Sequence, residues 1–142
     1  VSQDLVYFNM SIRDNLKLRN AEITDKEIIQ YIREFQLENI FTNNEIDLDY
    51  VIDESSSNIS GGEKQRISLI RELIFQPEIL ILDEATSALD EKNSKLILEK
   101  LSEMKNKPTV IFVSHNDKIF KYADLLIKSH NTEILFDESM KI

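Results

Sequence analysis

The spacing of apolar residues changes character near the middle of the chain. In the first half it is helical: Ile28, Ile29, Ile32 and Phe35 follow Thr24-Asp25-Lys26-Glu27, a threonine cap with a glutamate three residues on. This capping box predicts an amphipathic helix running to about Phe35. A shorter helix is expected from Ser11 to Leu16 with Ser11 as its cap, and another around Glu38 to Thr42. Residues 43–58 are polar and irregular, include Ser55-Ser56-Ser57, and read as loop. From Ser60 the helical period returns through Ile67, Ile70, Leu73 and Ile74, until Gln76-Pro77 stops it.

Beyond Pro77 the pattern becomes that of strands. Ile79-Leu80-Ile81-Leu82 does not alternate, which predicts a strand buried on both faces, and Pro108 opens a second such strand over Thr109 to Val113. Between them a helix is expected from Glu91 to Lys105. A brief helix near Asp117 to Tyr122 then leads to Leu125-Leu126-Ile127 and, past a turn at Ser129 to Asn131, to Glu133-Ile134-Leu135-Phe136. Val1-Ser2-Gln3 reads as the end of a strand entering a loop. Strand, helix and strand in alternation give an α/β fold with a largely parallel sheet closed by a final hairpin.

Composition narrows the chemistry. With 142 residues, 42% hydrophobic and 30% charged, the chain suits one globular domain. It contains no cysteine, which removes disulfides and thiolate metal sites, and its two histidines are too few for a histidine-rich one. The longest aliphatic run is far shorter than the roughly 20 residues that cross a bilayer. A net charge of −9 opposes nucleic-acid binding, and means that any ATP site needs local cations or cations supplied from elsewhere.

The two glycines of the chain stand together in Ser60-Gly61-Gly62-Glu63. A hydroxyl and unpaired amides at the positive end of a helix form a phosphate-binding arrangement; an ordinary helix cap accounts for the same residues equally well. Gln3, the pair Asp83 and Glu84, and His115 all fall at carboxyl ends of predicted strands, where ligands collect in α/β sheets. Adjacent strand residues face opposite ways, so Asp83 and Glu84 suit different tasks, one holding Mg²⁺ and the other reaching a water. As alternatives, Asp83 and Glu84 serve as capping acids and His115 as a satisfied polar residue. Lys64 and Arg66 are as well suited to packing or salt bridges as to phosphate, and His130 matches no motif.

Ile59 to Arg66, Ile79 to Asp90 and Val113-Ser114-His115 together resemble, in order and spacing, the nucleotide-binding domain of ABC transporters. Val1-Ser2-Gln3 is similar to the Q-loop, Ile59 to Glu63 to the signature motif, Ile79 to Asp83 to Walker B, Ser87 to Asp90 to the D-loop, and His115 to the switch histidine. The resemblance implies a P-loop NTPase fold with ATP and Mg²⁺ as ligands. It assigns Gln3, Glu84 and His115 to catalysis, Glu84 as general base, Asp83 and Gln3 to Mg²⁺, and Ser60, Gly61, Gly62, Glu63 and Asp90 to the nucleotide. It further implies a helical subdomain over about 9–77 and part of the catalytic core over about 78–142. The expected partners are a second nucleotide-binding domain and a membrane domain, at the cytoplasmic face of a membrane. Tyr7 to Leu16 is similar to the segment after the Q-loop in exporters.

Three features depart from the family pattern. Position 63 is glutamate where glutamine is usual, Ser56 stands where a loop glycine is common, and no G-x-x-x-x-G-K-[ST] phosphate loop occurs. The chain is therefore expected to be the carboxyl-terminal portion of such a domain, and inactive alone. Two competing readings are an SMC-like or DNA-repair ATPase lobe and a non-catalytic dimerisation module.

Overall fold

A computed structural model describes residues 9–52, 59–83, 91–114, 122–130 and 133–137. In chain order these form β1 (Met10–Ser11), α1 (Ile12–Lys17), α2 (Asp25–Glu34), two short 3-10 turns (Glu38–Ile40 and Thr42–Asn44), β2 (Val51–Ile52), α3 (Gly61–Ile74), β3 (Ile79–Asp83), α4 (Glu91–Glu103), β4 (Thr109–Val113), β5 (Leu126–His130) and β6 (Glu133–Asp137).

Helix α3 is the centre of the packing. Ile67, Leu69, Ile70, Leu73 and Ile74 are buried on it, and so are Glu63, Gln65, Arg66 and Ser68, so this helix is enclosed on nearly every side. Ile12 and Leu16 of α1, Ile28 and Ile32 of α2, and Leu80 and Leu82 of β3 join it in one continuous apolar cluster. Thr24 caps α2 as the sequence implies: its hydroxyl accepts from the Glu27 amide while the Glu27 carboxylate accepts from the Thr24 amide at 2.9 Å. Ser11 likewise caps α1, accepting from the Asp14 amide at 3.0 Å.

The region before α3 holds a feature not anticipated from the sequence. Met10–Ser11 pairs antiparallel with Val51–Ile52, and the amides of Ile12 and Arg13 donate to the carbonyls of Tyr50 and Leu48. Two donors that a helix leaves unsatisfied at its start thus find acceptors 38 and 35 positions away. Asn15, almost fully buried, ties α1 back to its own entry by donating to the Met10 and Ser11 carbonyls, both at 3.1 Å. Arg13 spans Asp25 and Asp49, joining α1 to α2 and to the 47–50 turn.

Strands β3 and β4 pair in parallel, Leu80 opposite Val110 and Asp83 opposite Val113. The expectation of burial on both faces needs correction. Leu80 and Leu82 are buried, but Ile79, Ile81, Ile111 and Val113 on the other face are 47–60% exposed, since no described residue packs over them. An aliphatic run shows that both faces suit a covered sheet; it does not show that the cover lies within the same chain. Among the described residues this is also the one parallel pair. β5 and β6 form the expected hairpin, antiparallel from Leu126 opposite Asp137 to His130 opposite Glu133. The helix expected near residues 117–122 falls largely outside the described residues, as does the strand at 1–3.

Helices α2 and α3 end without glycine. Gln36 and Gln76 both take the left-handed conformation at φ 52°. After α2 the Gln36 amide donates to the Arg33 carbonyl and the Leu37 amide to the Ile32 carbonyl, a complete Schellman closure. After α3 the first of these bonds is present, from Gln76 to Leu73, but Pro77 has no N–H to make the second. A side chain in this conformation costs about 1 kcal/mol or more relative to glycine. Gln36→Gly is accordingly expected to raise the unfolding free energy of the chain by about 0.5–1 kcal/mol, read as a higher urea midpoint; an unchanged or lower midpoint would refute the strain at this position.

Candidate functional site

Four of the candidate residues fall within one helical turn. Ser60 is the N-cap of α3, with extended φ and ψ of −67° and 158°, and Gly61, Gly62 and Glu63 are the first three helical positions. The Ser60 hydroxyl accepts from the Glu63 amide at 3.3 Å and donates to Glu63 Oε2 at 2.8 Å. The Ser60 amide donates to the same oxygen, also at 2.8 Å. The anion site and the plain helix cap, which the sequence leaves as alternatives, are thus compatible: the cap exists, and the amides of Gly61 and Gly62 still have no carbonyl within the helix to bond.

Gly61 has no structural reason of its own to be glycine. Its φ is not positive, and a Cβ built there meets nothing within 4 Å. Glycine at the start of a helix costs backbone entropy relative to alanine, and here the bare position leaves open space beside the Ser60 cap.

Glu63 is only 9% exposed. Its second oxygen accepts from Asn39 Nδ2 at 2.5 Å, a bond from the first 3-10 turn that no local pattern foretells, because the two residues are 24 positions apart. Burial works against the charged carboxylate, but the Ser60 amide and hydroxyl, the Asn39 amide and the nearby Arg66 guanidinium outweigh it and hold the group below the usual glutamate range. Beside this turn opens a cleft of about 1090 Å³, lined by Arg33 and Arg66 and by Glu38, Glu45 and Glu63.

Asp83 is the last residue of β3, exposed and opposite Val113. A single exposed carboxylate suits Mg²⁺, which keeps much of its water shell and takes one or two carboxylates. Among the described residues no cluster of three metal-binding side chains occurs. Gln3, Glu84, Asp90 and His115, together with Ser56, lie outside the described residues. Among the described residues no helix is long and apolar enough to cross a membrane.

The Glu63 carboxyl gives a pH signature. Folding holds it charged to lower pH than the unfolded chain does, so its stabilisation is complete above the ordinary glutamate value of about 4.3 and is lost as pH falls through the lower folded-state value. The urea midpoint of the native chain is expected to fall more steeply between about pH 5 and pH 3 than that of Glu63→Gln, which cannot titrate. Parallel curves would show that Glu63 is not held charged by the fold.

Comparison with known proteins extends these local observations. Residues 1–87 match the model of the ABC transporter family. The ABC transporter ATP-binding protein YwjA of Bacillus subtilis, itself described as uncharacterized, is 34% identical over 134 residues, 94% of this chain and 23% of that protein. The probable multidrug resistance ABC transporter ATP-binding/permease protein YheI of the same organism is 34% identical over 127 residues, 89% of this chain and 22% of that protein. The human mitochondrial potassium channel ATP-binding subunit is 36% identical over 89% of this chain and 17% of its own length. The chain thus spans less than a quarter of each of these relatives. With the α/β architecture and the signature-like first turn of α3 already in place, these matches show that the chain belongs to the ABC transporter family, as part of its P-loop ATP-binding domain.

Proposed function

We propose that this chain is the part of an ATP-hydrolysing exporter motor whose α3 N-terminus closes over the γ-phosphate of a nucleotide seated mainly on a second ATP-binding domain. The observation that carries this reading is Gly61. The fold leaves open space where its side chain would be, next to a serine hydroxyl and two amides at the positive end of a 14-residue helix. That combination suits an anion brought up from outside better than a purely structural cap.

The other roles follow from the family. Glu84 acts as general base toward the attacking water, His115 and Gln3 contact the reacting phosphate and its surroundings, and Asp90 works across the domain interface. Asp83, with Gln3, holds Mg²⁺, which when bound neutralises phosphate charge. The division into a helical part over about 9–77 and a core part over about 78–142 fits the segregation of short helices before Pro77 and the parallel pair after it. The exposed face of Ile79, Ile81, Ile111 and Val113 is covered, in this reading, by the portion of the domain that carries the phosphate loop. A membrane domain supplies the transport path at the cytoplasmic face, as the permease part named in YheI suggests. The 142 residues alone, without a phosphate loop, neither bind ATP tightly nor hydrolyse it.

Gly61→Ala separates function from folding. In the full-length transporter it is expected to lower ATP turnover at least about 10-fold, the effect of spoiling one well-placed phosphate contact, while the unfolding midpoint stays level or rises. Retained turnover would sink the reading. Glu84→Gln in the same protein is expected to reduce turnover about 100-fold or more while ATP affinity is preserved. Loss of ATP binding with unchanged hydrolysis per bound ATP would show that Glu84 has another role.

A further inference from the structure

The hydrogen bonds of Glu63 all go to the protein itself, to the Ser60 cap and to Asn39. Three of the roughly four acceptor positions of its carboxylate are taken, two by Ser60 and one by Asn39. We propose that Glu63 is a positioning residue for the phosphate contact made by Ser60, not itself a ligand of the nucleotide, and that Asn39 holds Glu63 in that role; this rests on the reading of Ser60 given above.

The geometry explains how such a residue acts. A serine hydroxyl on an exposed helix cap has three rotamers open to it. Here the oxygen is fixed by the Glu63 amide and the backbone by the bond from the Ser60 amide to Oε2. An arriving phosphate competes only for the hydroxyl hydrogen, which Glu63 Oε2 accepts in its absence. When that hydrogen turns to the phosphate, the remaining two bonds keep Ser60 in place. The carboxylate therefore sets the contact before the anion arrives, and the ordering cost does not fall on the reaction.

Asn39 carries this fixation into the body of the protein. It sits in the 3-10 turn Glu38–Ile40, whose Ile40 is buried in the main apolar cluster, with Leu37 and Phe41 on either side of the turn also buried there. Its 2.5 Å bond pins the second carboxylate oxygen, so the Glu63 side chain cannot swing outward without leaving a buried charge short of a donor. Arg66, one helical turn along, adds attraction from the same side.

The test is a kinetic comparison in the full-length transporter, with unfolding midpoints measured on each variant. Glu63→Ala is expected to lower kcat for ATP about 10-fold with KM changed less than about 3-fold, because the lost contact belongs to the transition state and the triphosphate is held elsewhere. Glu63→Gln, whose amide oxygen can still accept both Ser60 donors while its NH2 donates to Asn39 once the Asn39 amide turns its oxygen inward, recovers kcat to within about 3-fold of the native protein. Asn39→Ala gives a smaller kcat loss of the same kind, and the double variant is no slower than Glu63→Ala alone. A raised KM with kcat intact, additive losses in the double variant, or native kcat in Glu63→Ala would each overturn the proposal. Should Glu63→Ala fail to fold, Asn39→Ala with native kcat overturns it equally. Ser60→Ala keeps the two readings apart: if it leaves kcat untouched, the phosphate contact itself is wrong; if it lowers kcat while Glu63→Ala does not, only the positioning role fails.

Discussion

The carboxylate of Glu63 is the constraint around which the first turn of α3 is arranged. A nearly buried charge is tolerable only if its environment replaces the water it has lost, and here three donors, the positive end of a helix and a neighbouring guanidinium do so. A capping side chain contributes about 1 kcal/mol and a hydrogen bond to a charged group about 1.5–3 kcal/mol, so three such bonds are enough to outweigh desolvation at a site that keeps partial contact with water. Because α3 is enclosed on nearly all sides, whatever fixes its first turn also fixes the register of its buried residues against α1, α2 and β3.

The same charge imposes a condition on function. A carboxylate beside an incoming phosphate repels it, and the chain as a whole carries a net charge of −9. The amides of Gly61 and Gly62 offset this only over a short range, since a helix dipole fades within its first turn. An anion can approach this end of α3 if its own cations come with it. The proposed function meets this condition, since in it the phosphate is neutralised on one domain and covered by the other.

What could be read from the sequence is mostly what is local. Thr24 and Glu27 are three apart, so their capping box is legible as a pattern, and so is Ser60 as a cap; the reciprocal bond from Ser60 to Glu63 is what the structure adds. The stop at Pro77, the paired aliphatic runs and the final hairpin were legible for the same reason. The contacts that escaped are those between distant segments: Met10–Ser11 against Val51–Ile52, Arg13 spanning Asp25 and Asp49, and Asn39 on Glu63. None leaves a periodic trace, because each depends on where two loops arrive after folding. The helix ends at Gln36 and Gln76 were also obscure, since the chain spends its two glycines elsewhere and takes the left-handed turn with glutamine.

That use of glycine bears on function more directly than any motif. Where the backbone takes a glycine-like conformation, at Gln36, Asn43, Asn44 and Gln76, this chain does without glycine and at the two glutamines accepts the strain; at Gly61 neither the backbone angle nor the surrounding packing requires glycine. Stability alone would predict the opposite distribution. The fold of the described residues thus does not explain position 61, and the proposed function does so by bringing a phosphate close to this helix end.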